Sequence, residues 1–153
     1  MYLLDTNVWL EHLLSQARAQ EALRLITGVD SALLSISHFS LHSIGVILGR
    51  RGRTAALDQF VADLFVHGQV SLRTILPVDF AGISAAMQSH RLDFDDAYQY
   101  VVAKRDNLTL VSFDSDFDRT DLRRHTPVEI LATLPPSQPG ALGDEARGGR
   151  LDS

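Results

Sequence analysis

Short apolar runs of strand length alternate with longer segments of helix length along most of this chain. The apolar runs fall at residues 2–4, 32–36, 70–76, 108–112 and 128–131. Helical spacing of apolar residues or helix-compatible composition marks residues 7–14, 16–27, 38–48, 54–67, 80–90 and 93–105. Strands that alternate with helices pair in parallel and are covered by helices on both faces. The sequence therefore predicts an α/β fold with a central parallel sheet.

Three polar residues mark where helices of this pattern begin. Thr6 is the predicted N-cap of the first helix, and Ser37 that of the third. Asp93 is the predicted N-cap of the last long helix, which places Asp96 in its first turn.

The length of 153 residues indicates one domain. Beyond residue 134 the composition changes, because prolines and glycines accumulate and apolar residues become rare. We therefore expect a folded domain over residues 1–134 and a disordered tail over residues 135–153.

Cysteine is absent from the sequence, which excludes disulfides, thiolate zinc sites and cysteine nucleophiles. Its absence is typical of proteins of a reducing cytoplasm, where we expect this chain to act. No signal peptide is recognisable at the first residues, and no apolar stretch approaches the roughly 20 residues needed to cross a bilayer. We expect no association with membranes.

The formal net charge is −5, whereas most proteins that bind nucleic acids present a basic surface. Local clusters or a bound metal ion can reverse the sign of the potential where it matters. Two arginine clusters, each either a solvated face or a contact for RNA, are Arg50, Arg51 and Arg53, and Arg119, Arg123 and Arg124.

Three aspartates fall where a parallel sheet binds ligands, outside the carboxyl ends of its strands. Asp5 follows the first strand, Asp114 follows the strand over residues 108–112, and Asp96 lies in the first turn of the helix before that strand. Singly, each could be a turn or helix-cap residue. Together they would repel one another unless a cation lay among them.

Carboxylate oxygens select hard cations, so Mg²⁺ or Mn²⁺ is the expected cofactor. Such an ion lowers the pKa of a bound water molecule and stabilises charge on a phosphoryl group. Phosphodiester hydrolysis is the chemistry that most needs this arrangement.

Three segments resemble the motifs of PIN domains, the ribonuclease fold of VapC-type toxins. The segment Leu3-Leu4-Asp5-Thr6-Asn7-Val8 is similar to the opening motif of that family, Asp96-Ala97 to the third, and Asp114-Ser115-Asp116-Phe117 to the last. Their order and spacing extend the resemblance over residues 1–131.

The resemblance implies a PIN-like three-layer α/β/α sandwich and a metal-dependent RNA endonuclease. Asp5, Asp96 and Asp114 would be the catalytic metal ligands, with Asp116 as a fourth. Members of the family are commonly dimeric, and many are toxins neutralised by a small antitoxin protein. RNA, an antitoxin and a second copy of the chain are therefore the expected partners.

One position departs from the family pattern, which places a glutamate on the third helix. The matching stretch runs from Ser37 to Ser43, so that Ser43 stands where the glutamate is expected. A serine hydroxyl is neutral and would reach a metal ion only through water. An alternative function is therefore a catalytically weakened PIN domain that binds RNA or a protein without cutting it.

Two further interpretations of the sequence each lack a residue that they require. His38 and His42 have the i, i+4 spacing of zinc ligands, but no third ligand is evident nearby, which favours a packing role. A phospho-acceptor receiver domain also gathers aspartates at strand ends, but it needs a lysine after a late strand. Lys104 is the only lysine and falls inside a predicted helix.

Overall fold

The computed structural model describes residues 1–134 and contains four strands and seven α-helices over that range. The predicted tail over residues 135–153 lies outside the described residues. The strands are β1 (Tyr2–Leu4), β2 (Leu34–Ser37), β3 (Ser71–Arg73) and β4 (Thr109–Val111). The helices are α1 (Thr6–Leu13), α2 (Ala19–Gly28), α3 (His38–Arg50), α4 (Thr54–Ala62), α5 (Phe80–His90), α6 (Phe94–Arg105) and α7 (Pro127–Thr133).

All four strands are parallel and lie in the order β3-β2-β1-β4. The first strand is therefore central and pairs with β2 on one side and with β4 on the other. Leu4 is the register partner of Val111 in β4. Because these two strands end side by side, the residues that follow each of them emerge at the same edge of the sheet.

The two faces of the sheet bury two separate apolar cores, as the alternation of side chains along β1 requires. Leu4 contributes to one core together with residues of α1, α2, α3, α4 and α7. Leu3 contributes to the other together with residues of α5 and α6 and with Phe117. Both leucines are fully buried. The prediction of a three-layer α/β/α sandwich around a parallel sheet is confirmed.

The predicted strand over residues 128–131 is wrong, because this segment forms helix α7. Thr126 caps the helix by accepting a hydrogen bond from the Glu129 backbone, and Glu129 in turn accepts from the Thr126 backbone. Pro127 occupies the first helical turn, where its missing N–H costs nothing. These start signals outweigh the β propensity of the apolar residues that follow.

Smaller differences concern the ends of elements. Asp5, not Thr6, is the N-cap of α1. Strand β3 is shorter than the predicted run over residues 70–76. The predicted helix over residues 54–67 ends as α4 at Ala62 and continues as a π-helical turn, Asp63–His67. A Cβ at Gly68 would lie 2.7 Å from the Asp63 carbonyl oxygen, so this tight exit requires glycine.

Candidate metal centre

The fold brings the ends of β1, β4 and α6 together. Asp5 is the first residue after β1, and Asp114 follows β4 after Ser112 and Phe113. Asp96 enters from α6, where Asp93 caps the helix by accepting a hydrogen bond from the Asp96 backbone at 2.9 Å. The sequence placed these residues at one edge of the sheet, and the topology of β1 and β4 explains why they meet.

Three carboxylates form the tightest group of acids at this edge. Asp96, Asp114 and Asp116 each offer an oxygen that lies within 4.8 Å of the others. Asp114 holds the turn that carries Asp116, because its Oδ1 accepts a hydrogen bond of 2.8 Å from the Asp116 backbone. Asp116 also forms an ion pair with Arg119, whereas Asp96 makes no ion pair with any residue of the described range.

Asp5 is buried and is not a member of this trio among the described residues. Its Oδ1 accepts hydrogen bonds from the Thr6 backbone at 2.7 Å and from Gln99 Nε2 at 3.3 Å. Its Oδ2 accepts from Ser112 Oγ at 2.7 Å and from Asn7 Nδ2 at 2.9 Å. These four hydrogen bonds fix the orientation of the carboxylate, which still lines the cavity of the site.

The site is electrostatically uncompensated. Burial raises the pKa of Asp5 to about 6, against the opposing effect of the Ser112 and Thr6 hydrogen bonds. Burial likewise raises the pKa of Asp96 to about 7, and the negative charges of Asp93, Asp5, Asp114 and Asp116 add to this. A cation among these groups would favour their charged forms and reverse both shifts.

The acids open into a cavity of about 610 Å³. Asp5, Asp96 and Asp114 all line it, and Ser43 of α3 lines the same space. The inward placement of position 43, which the family pattern implied, therefore agrees with the structure. Asp93 and Asp95 also face the cavity and extend its negative charge.

Several residues of this site have no counterpart in the sequence analysis. Asn7 and Ser112 hold Asp5, and each could have been suspected because it stands two residues from a site aspartate. Gln99 gave no signal, since it lies within an otherwise ordinary helical segment. The ring centroids of His38 and His42 lie 4.5 Å apart with the rings tilted by 51°, and no potential metal-binding group of residues 1–134 includes either one.

The donor set fits a hard divalent cation. Every ligand on offer is a carboxylate oxygen, and the trio is close enough for one ion to contact all three. Zinc sites in proteins usually contain histidine or cysteine, which this group lacks. Mg²⁺ or Mn²⁺ therefore suits the residues present, with Asp96, Asp114 and Asp116 as the side chains that would hold it.

No helix of residues 1–134 is both long and apolar enough to cross a membrane.

A search of curated proteins finds no match to the sequence. Among solved structures, the chain is similar to VapC20 of Mycobacterium tuberculosis, which is described as a toxin that cleaves the sarcin-ricin loop. The two superpose with a TM-score of 0.70 at 20% identity, and the match covers 83% of this chain and 100% of that one. A toxin–antitoxin complex of Klebsiella pneumoniae gives 0.67 at 20% identity, with coverage of 83% and 98%. FitAcB of Neisseria gonorrhoeae gives 0.66 at 21% identity, with coverage of 84% and 99%.

These structural likenesses, at such low identity, establish the fold alone. The family model described as "PIN domain" matches residues 2–122 of the sequence, which is most of the chain and includes every acid of the cluster. The chain therefore belongs to the PIN-domain family.

Proposed function

We propose that this protein is a metal-dependent RNA endonuclease of the VapC type, and that it is the toxin of a toxin–antitoxin pair. The observation that carries the proposal is the convergence of Asp96, Asp114 and Asp116 within 4.8 Å, at a cavity that the buried Asp5 also lines. PIN domains are generally nucleases that use divalent metals, and these acids are the groups such a reaction requires.

In this proposal Asp5, Asp96, Asp114 and Asp116 form the metal site, and the first three are the catalytic residues. Bound Mg²⁺ or Mn²⁺ supplies a water molecule of lowered pKa and stabilises charge on the phosphate. Asp96, Asp114 and Asp116 would hold the ion. Asp5 connects the site to α1 and to the end of β4, because it accepts hydrogen bonds from the Thr6 backbone and from Ser112.

In this proposal the protein acts in the cytoplasm. Its partners are RNA, a small antitoxin protein and a second copy of the chain. The proposal of an antitoxin partner is supported by a toxin–antitoxin complex among the structural neighbours. An apolar groove between α3 and α4, lined by Val46, Val61 and Val66, offers a surface for a protein partner. Exposed Arg50 and Arg51 are candidate contacts for RNA phosphates.

One observation favours a second function, in which the domain binds RNA or protein without cutting it. Ser43 lines the acid cavity at the position where the family pattern has a glutamate. The site therefore has one negative charge fewer than that pattern, which weakens its attraction for a cation.

Cleavage of a broad panel of structured RNAs distinguishes the two functions. We expect cutting in the presence of Mg²⁺ or Mn²⁺, and its complete loss when the metal is chelated. The panel must be broad because toxin nucleases of this type often recognise few substrates. Binding of RNA without cleavage of any panel member, with both metals, would establish the binding module instead.

A further inference from the structure

Gln99 is a fully buried polar residue in the middle of α6 that the proposed metal chemistry does not use. Its neighbours in the helix, Tyr98, Val102 and Ala103, belong to the apolar core on that face of the sheet. A buried position of this kind normally holds an apolar side chain. The presence of an amide there requires an explanation.

The amide nitrogen of Gln99 contacts three residues at the proposed metal site. It donates a hydrogen bond to Ser40 Oγ of α3, and it lies 3.3 Å from Asp5 Oδ1 and 3.4 Å from Thr6 Oγ1. Ser40 Oγ in turn lies 2.8 Å from Thr6 Oγ1. One side chain of α6 therefore ties α1 and α3 to the carboxylate of Asp5.

The other half of the amide has no partner. Gln99 Oε1 is buried and accepts no hydrogen bond from the described residues. Rotating the amide by 180° would not help, because Oε1 would then face Asp5 Oδ1, and two acceptors would repel. The orientation seen here places the N–H groups on the site and leaves the carbonyl unsatisfied.

An unsatisfied buried carbonyl is unfavourable for folding, so an apolar residue of similar length would suit a purely structural position better. Within residues 1–134, the other donors to Asp5 are Thr6, Asn7 and Ser112, and the first two belong to α1. Gln99 is the donor that connects Asp5 to α6, the helix that carries Asp96.

We infer that Gln99 is a positioning residue for the metal site, which fixes the Asp5 carboxylate relative to Asp96 at a cost to the stability of the metal-free fold. This inference rests on the proposed function, because it concerns the same site. Groups that orient metal ligands typically change metal affinity by 10- to 100-fold when they are removed.

The test is Gln99→Met, which keeps the length of the side chain and removes both halves of the amide. We expect the Mn²⁺ affinity, measured by calorimetry at 25 °C, to fall by about 10-fold. In chelator, the Tm should equal or exceed that of the wild type. A structural role predicts the reverse: a lower Tm and an unchanged affinity.

Two further variants keep the result interpretable. Val102→Ala removes apolar contacts from the same helix one turn on, and we expect it to lower the Tm while leaving Mn²⁺ affinity unchanged. Ser40→Ala frees the Gln99 amide without removing it, and we expect a smaller loss of affinity, about two- to five-fold. Combining Ser40→Ala with Gln99→Met should add little to Gln99→Met alone.

The outcomes separate the inference from the proposed function. If the wild type binds neither Mn²⁺ nor Mg²⁺, both are overturned. If the wild type binds but Gln99→Met binds equally well, or fails to fold, only the role of Gln99 is overturned. The same holds if Ser40→Ala leaves the affinity unchanged.

Discussion

The charged side chains at the two ends of α6 differ in whether oppositely charged groups lie beside them. At its first turn, Asp96 lies among other acids, and its pKa is raised by burial and by their repulsion. At its last residue, Arg105 forms ion pairs with Asp79 at 2.6 Å and with Asp106 at 2.8 Å. There the pKa of Asp79 is lowered, by a hydrogen bond from the Leu76 backbone and by Arg105.

The two ends therefore differ in charge compensation, since Arg105 is paired with acids whereas Asp96 is surrounded by them. Paired charges at the last turn complement the helix dipole and require nothing further. The dipole also favours acids at the first turn, but it does not offset the mutual repulsion of several carboxylates. The described residues offer no ion-pair partner to Asp96, which is why we propose a cation at this turn.

The largest effect we expect comes from neutralising one aspartate at each end. Asp96→Asn should reduce Mg²⁺-dependent RNA cleavage by more than about 100-fold, because it removes a proposed metal ligand. Asp79→Asn removes the same charge at the other end and should leave the rate within about two-fold of wild type. Equal rates for the wild type and both variants would show that the first turn of α6 is not the active site.

A second expectation concerns pH in the absence of metal. The pKa values of Asp5 and Asp96 are about 6 and 7 in the folded chain, above the ordinary value of 3.8. Between these values the folded state binds more protons than the unfolded state, so the free energy of unfolding falls as pH rises from about 4 to about 7. The loss should amount to several kcal/mol, because each pKa unit corresponds to about 1.4 kcal/mol.

Thermal melts in chelator between pH 5 and pH 7.5 measure this loss. The reference is the double variant Asp5→Asn/Asp96→Asn, which keeps every other titrating group. Its Tm should depend less on pH than that of the wild type. Parallel curves for the two proteins would mean that these aspartates titrate normally.

A third expectation concerns Ser43, which lines the acid cavity. Ser43→Glu adds a carboxylate near the proposed ion, and a net gain of about 1 kcal/mol would tighten Mn²⁺ binding several-fold. Without metal the same variant should be less stable than wild type, since another acid joins the cluster. Ser84→Glu, on the exposed surface of α5, adds the same charge outside the cavity and should change neither quantity. If the two variants behave alike, position 43 does not act on the site.

The smallest effect should come from Asp79→Asn as a change in stability. Its ion pair with Arg105 is partly exposed, and such pairs contribute little. We expect the Tm to fall by no more than about 3 °C, and by the same amount with and without Mn²⁺. A fall that depends on Mn²⁺ would connect this end of the helix to the metal site.

The sequence predicted the parallel sheet and the placement of Asp5, Asp96 and Asp114, because both follow from local patterns. Alternating strands and helices define the sheet, and the residue after a parallel strand must emerge at its carboxyl edge. Helix α7 was missed although Thr126, Pro127 and Glu129 carry its start signals. Apolar, β-branched residues outweighed those signals in the interpretation of the pattern.

The role of Gln99 could not be predicted from the sequence. Its contacts join α6 to α1 and α3, and they depend on how those three helices pack. The same is true of the four hydrogen bonds around Asp5, whose donors come from residues 6, 7, 99 and 112. Spacing along the chain shows which acids share an edge, but not which neutral groups hold them.

Whether the acids at the first turn of α6 are arranged for a cation is tested most directly by the melting curves of two proteins in two conditions. Wild type and Asp96→Asn are melted at pH 7.5, first in chelator and then in excess Mn²⁺. In chelator the variant should be the more stable by on the order of 1 kcal/mol, because it relieves repulsion. In Mn²⁺ the order should reverse, because only the wild type gains stability by binding. Curves that keep the same order in both conditions would contradict the claim.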